Sequence, residues 1–73
     1  MTKENIINQL SSYKDLIDME DSINKIEDLI YDYEIELGNI ICMFVYKQDD
    51  GLELSFLTCP CKNMNKLKIK YKK

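Results

Sequence analysis

The five residues DMEDS, Asp18–Ser22, decide how this chain folds, because two apolar seams meet there out of phase. Downstream, Leu16, Met19, Ile23, Ile26, Ile30, Tyr33 and Leu37 step by alternating threes and fours, the spacing that lines one side of a helix. Upstream, Ile6, Leu10, Tyr13 and Ile17 step by 4, 3 and 4 on a rotated phase. Asp21 or Ser22 can cap a second helix at the junction. Neither glycine nor proline forces a break there. Residues 3–37 therefore read as one long helix or as a helical hairpin. Thr2 is the expected first cap. Gly38-Asn39 is the expected stop, since glycine adopts the left-handed conformation at little cost.

The period changes after Gly38. NIICMFVYK, residues 39–47, is β-branched and aromatic with apolar residues at both parities. That pattern suggests a strand covered on both sides or central in a sheet. Asp50-Gly51 is a hairpin signal. A second strand follows at 52–59, with Leu52, Leu54 and Phe56 on one face. A third spans 66–72, where Leu67, Ile69 and Tyr71 alternate with Lys66, Lys68, Lys70 and Lys72. The expected fold is α+β, one small domain over residues 1–73. A long helix or helical hairpin (3–37) packs on a three-stranded antiparallel meander.

Lengths raise a difficulty. An unbroken helix over 3–37 is about 52 Å long at ~1.5 Å per residue. A seven-residue strand spans only about 23 Å. Unless the chain turns back, the seam at Ile6, Leu10, Tyr13 and Ile17 outruns the sheet. Those side chains would then close a helix pair, a homodimer or a groove for another protein.

Charge divides the chain in the same place. Residues 1–36 hold ten carboxylates against three lysines, a balance of −7, and residues 37–73 balance at +4. Asp28, Asp32 and Glu36 recur every fourth residue, so a helix carries them as one acidic ridge, with Asp21 nearby. Like charges at that spacing cost roughly 0.2–0.5 kcal/mol per pair. The ridge is either a solvated face balanced by the lysine strand or a docking surface for a basic protein. Lys66, Lys68, Lys70 and Lys72 offer a phosphate-binding alternative. Against direct nucleic-acid binding stand the overall acidity, the absence of arginine and the placement of Tyr71 on the core side of its strand.

The chain has no histidine to act as a general base. Its nucleophiles are serines and three cysteines without an activating partner. Cys59 and Cys61 flank the single proline, and Cys42 lies in the first strand. Three thiols without histidine fall short of the usual four-ligand zinc set. The simplest reading is a buried strand cysteine and a turn, with metal binding or redox work as the alternative.

No cofactor is expected. No apolar run reaches the ~18 residues of a membrane span, and MTKENIINQL does not resemble a secretory leader. A cytoplasmic location, in the producing cell or a host, is the expectation. The abundance of Ile, Lys, Asn and Tyr matches AT-rich coding. Together these features point to a non-enzymatic protein-binding module. A small acidic inhibitor from a phage or mobile element, of the anti-CRISPR kind, fits that description. Its partner would be a protein with a basic surface.

Overall fold

The N-terminal seam folds as two short helices rather than one rod. The structure, a computed structural model, describes residues 1–32, 36–59 and 64–72. Helix α1 spans Lys3–Leu10. Thr2 caps it reciprocally: the Asn5 amide donates to Thr2 Oγ1 (3.2 Å), and the Thr2 amide donates to Asn5 Oδ1 (3.0 Å). Two such bonds satisfy donors that a helix start leaves unpaired. The helix ends at Ser11, whose hydroxyl donates back to Ile7 O at 2.8 Å. A 3₁₀ turn over Ser11–Tyr13 and one further turn onto Tyr13 O reverse the chain.

Helix α2 then runs Met19–Asp32. Its cap is Asp18, not Asp21 or Ser22. Asp18 Oδ1 accepts from the Asp21 amide at 3.1 Å, and Asp18 O accepts from both the Ser22 amide and the Ser22 hydroxyl. Ser22 thus stays fully buried with its hydroxyl satisfied. The break falls just upstream of the expected junction, and its consequence is a change of phase. Ile17 is fully buried, whereas Leu16, which belongs to the longer apolar seam, is 39% exposed. The described part of α2 ends five residues short of Leu37, which instead opens a 3₁₀ turn with Gly38 and Asn39. Gly38 is not in the left-handed region, so it does not serve as the expected helix stop.

Strands β1 (Ile40–Lys47), β2 (Gly51–Thr58) and β3 (Met64–Lys70) form an antiparallel meander in the order β1-β2-β3. The central strand is β2; β1 is an edge, contrary to the expectation from its apolar composition. The β1–β2 loop is Asp49-Asp50, closed by the Gln48 amide donating to Gly51 O. Gly51 is the first residue of β2 rather than part of the loop. A Cβ there would collide with the Ile69 carbonyl on β3, so the close approach requires glycine. Tyr71 clamps this hairpin: its amide donates to Asp50 O and its hydroxyl to Gln48 O, both at 3.0 Å.

Both helices contribute to one core with a single face of the sheet. Ile6 and Leu10 of α1, Ile17 of the connection and Ile26 of α2 join Ile40, Met43, Leu52, Leu54, Phe56 and Ile69. A bulge at Ile41 makes this possible, because the register shifts between Ile40 and Cys42 and both Ile40 and Met43 then point inward. The interhelical connection is tied to the chain after β3, where the Lys72 amide donates to Leu16 O at 2.8 Å. The longest dimension is 37 Å, well short of a straight rod.

The apolar surface expected to reach a partner is therefore occupied. Ile6, Leu10 and Ile17 are at most 3% exposed, and Tyr13 packs against the same core under Lys47, whose Nζ lies 5.8 Å from the ring centre. The turn between the helices uses these side chains to close the fold.

The phase change gives a direct test by urea denaturation. Ile17→Ala is expected to cost about 2–5 kcal/mol, the range for a deleted core side chain. Leu16→Ala is expected to cost about 1 kcal/mol or less. Equal losses would mean that Leu16 and Ile17 share the core.

Candidate functional site

The helices cover one face of the sheet, and the other face is open. Cross-strand register arranges its side chains in rows. Cys42, Leu57 and Met64 form the first, Phe44, Ser55 and Lys66 the second, and Tyr46, Glu53 and Lys68 the third. Lys70, opposite Gly51, follows on β3. Lys66, Lys68 and Lys70 are exposed, as strict alternation with Leu67 and Ile69 requires. Phe44 is 42% exposed, Tyr46 48% and Met64 46%, with Ile41 at the bulge also exposed. An uncovered aromatic and aliphatic patch of this kind is where soluble domains meet other molecules.

The face is chemically zoned. Its β1 side carries two rings on residues two positions apart, about 6.8 Å along the strand. Its β3 side carries three ammonium groups on the same repeat. Between them, on β2, lie buried Ser55 and half-buried Glu53. Edge to edge, β1 and β3 are about 9.6 Å apart. Glu53 is the only carboxylate in these rows, so the face is locally cationic although the chain carries −3.

The expected lysine set is thus brought together except for Lys72. That residue lies beyond β3, with its Nζ donating to Lys14 O at 3.3 Å. The expected acidic set is brought together less well. Asp21, Asp28 and Asp32 are exposed on α2, but Asp21 pairs with Lys25 at 3.1 Å. Glu36 is past the helix with extended backbone, so it does not continue a helical ridge. Asp32 and Glu36 do share the wall of an open hollow with Lys3, Glu27, Ile30 and Tyr31. Lys3 pairs with Glu27 at 2.8 Å across the helices.

The two charge sets lie on opposite sides of the molecule. The lysines point away from the core, and the helices pack on the core side. Among the described residues, the ion pairs join helical residues to each other, and none joins α2 to β3. Mutual neutralisation of the two halves, one of the sequence expectations, is not what these pairs show.

Cys42 and Cys59 are free thiols, Cys42 on the open face and the exposed Cys59 just after β2. Pro60 and Cys61 lie outside the described residues, so the proposed turn and the three-cysteine set fall there too. Among the described residues, no group of three or more His, Cys, Asp or Glu is placed to hold a metal ion. No helix among them is long and apolar enough to cross a membrane.

Phe44 and Tyr46 were not singled out from the sequence, although the apolar residues at both parities of 39–47 were the available signal. Comparison with protein-family models, curated proteins and solved structures finds no match for this chain.

If the open face is a working surface rather than part of the core, its rings are dispensable for folding. Phe44→Ser and Tyr46→Ser should each change unfolding free energy by about 1 kcal/mol or less. Phe56→Ser, on the covered face, should cost about 3 kcal/mol or more. Comparable losses at Phe44 and Phe56 would make the open face structural.

Proposed function

We propose that this chain is a non-enzymatic binding module that lays its open sheet face against an anionic partner. One observation carries the reading: Phe44, Tyr46 and Met64 stand exposed on the same face as Lys66, Lys68 and Lys70, while both helices cover the other. Apolar residues on both faces of a sheet ordinarily call for a covering layer on each. Among the described residues no second layer lies on this face, and the lysines set the sign of what would supply one. Binding by a preformed face needs no catalytic group, which suits a chain without histidine.

A second reading rests on the separation of charge. Asp28 and Asp32 are exposed on α2, which packs on the sheet face away from the lysines, and neither is in an ion pair with β3 among the described residues, so the helical layer keeps its negative field. That layer would dock on a basic protein surface, as a small anti-defence inhibitor of the anti-CRISPR kind would do. The field of such a surface steers an acidic protein as it steers nucleic acid.

Heparin serves as a polyanion probe for the first reading. Despite its net charge of −3, the protein should be retained on immobilised heparin at about 0.05 M salt and released as screening increases. Lys66→Gln combined with Lys68→Gln and Lys70→Gln should abolish retention. Flow-through of the unmodified protein would end the reading. For the second, titration with polylysine should shift the amide resonances of Asp28 and Asp32. Asn replacements at both positions should weaken that binding about threefold or more, given ~1 kcal/mol per screened contact. An equal response in the doubly neutralised protein would end it.

A further inference from the structure

We propose that the open sheet face is a platform for single-stranded nucleic acid. Bases stack on Phe44 and Tyr46, and the phosphate backbone follows Lys66, Lys68 and Lys70. This rests on the reading of the face as an anion-binding surface and names the anion.

The zoning selects the ligand. An apolar helix laid across the sheet would want its contacts along the central strand. Between the rings and the lysines the centre is polar, with Ser55 buried and Glu53 charged, and the aliphatic Leu57 lies at the end row beside Cys42 and Met64. The groups that attract are at the two sides, rings on β1 and ammonium groups on β3, strands about 9.6 Å apart. A ligand fitting that pattern is a ribbon with flat apolar groups along one edge and anions along the other. A single strand of nucleic acid has that form. A second copy of this chain would bring to the lysines only the rings or lysines of its own face and the single Glu53, not a row of anions.

Spacing argues for an unstacked single strand. The residues that carry the two rings are about 6.8 Å apart along the strand, twice the ~3.4 Å rise of a stacked strand. Bases bound one to each ring must therefore separate from each other. Single-stranded segments allow this, and stacking on aromatic side chains is the usual way proteins hold such bases. A duplex, whose bases remain stacked and paired, presents none to the rings. Tyr71, the aromatic residue in the lysine segment, is engaged with the β1–β2 loop, so Phe44 and Tyr46 supply the stacking instead.

Glu53 occupies the row between Tyr46 and Lys68. There it repels phosphate and keeps the backbone on the β3 side. Its carboxylate can accept from the exocyclic amine of cytosine or adenine, a pairing known from base-edge recognition. Overall acidity is a weak objection, because the far-side carboxylates act across the sheet. The screening length at physiological salt is only about 8 Å.

Fluorescence anisotropy with labelled oligonucleotides of a dozen nucleotides tests this. Oligo-dT, oligo-dC and a duplex of equal length are the probes. The single strands should bind with Kd on the order of 10⁻⁵ M at low salt, a non-specific affinity. The duplex should bind at least about tenfold more weakly. Three phosphate contacts at about −0.7 each imply a slope of log K against log salt near −2. Phe44→Ser and Tyr46→Ser should each weaken binding about tenfold with the slope unchanged. The triple lysine-to-glutamine variant should flatten the slope. Glu20→Gln, an exposed carboxylate of α2, should leave stacking and slope alone.

No anisotropy change at about 100 µM protein, well above that Kd range, overturns the proposal. So does equal affinity for duplex, or indifference to loss of both rings. If heparin retention survives while oligonucleotides fail, the anion-binding face stands and this ligand is wrong; failure of both removes both. A free protein of twice the chain mass that becomes monomeric on Phe44→Ser would show the face covered by a second copy, and would also overturn it.

Discussion

Burial of Ile17 is the constraint on which the rest of the architecture depends. To place that side chain in the core, the chain must turn between Tyr13 and Asp18. The turn brings α1 and α2 side by side on one face of the sheet. Lys72 fixes it from the other end of the sequence by donating its amide to Leu16 O. Once both helices lie on the same face, three consequences follow. The apolar seam is consumed internally, the other sheet face is uncovered, and the acidic helices stand opposite the lysines of β3. A single rod would have reversed the first.

Local chemistry was legible where a few neighbouring residues settle the outcome. The Thr2–Asn5 cap, the inward set Leu52, Leu54 and Phe56, and the alternation of Leu67 and Ile69 with lysines all follow from short-range pattern. The helix break was harder to place. The seam through Leu16 continues across it without a breaker, and the decisive signal is Asp18, whose carboxylate caps α2 from one residue upstream. A period of 3.6 tolerates either Leu16 or Ile17 on the inner side, so only packing into the shared core selects between them. The stop was misplaced for a related reason. Gly38 permits a left-handed turn but does not require one.

The candidate surface was half legible. Lysines on alternate residues of a strand identify their own face. Phe44 and Tyr46 do not, because an aromatic residue in a strand is equally consistent with a core and with a binding platform. What distinguishes the two is the number of layers on the sheet, a global property. The meander makes β2 central and β1 an edge. The bulge at Ile41 then assigns Ile40 and Met43 to the covered face and leaves Cys42, Phe44 and Tyr46 on the other. One inserted residue therefore decides which half of an apolar strand becomes surface.

Exposed apolar strands invite pairing with other chains, and the treatment of this sheet's edges indicates how a partner approaches. On β1, the bulge distorts the ladder near Ile41. The carbonyl of Met43 is already taken by the side-chain amide of Gln9 at 2.7 Å. On β3, lysines flank the edge, a common guard against strand addition. Both rims are thus obstructed while the face between them is left open. Strand addition along β1 would have to displace Gln9 and straighten the bulge, whereas contact with the face displaces only water from Phe44, Tyr46 and Met64. The favoured approach is onto the face, and that is the direction in which the rings can stack and the ammonium groups can reach an anion.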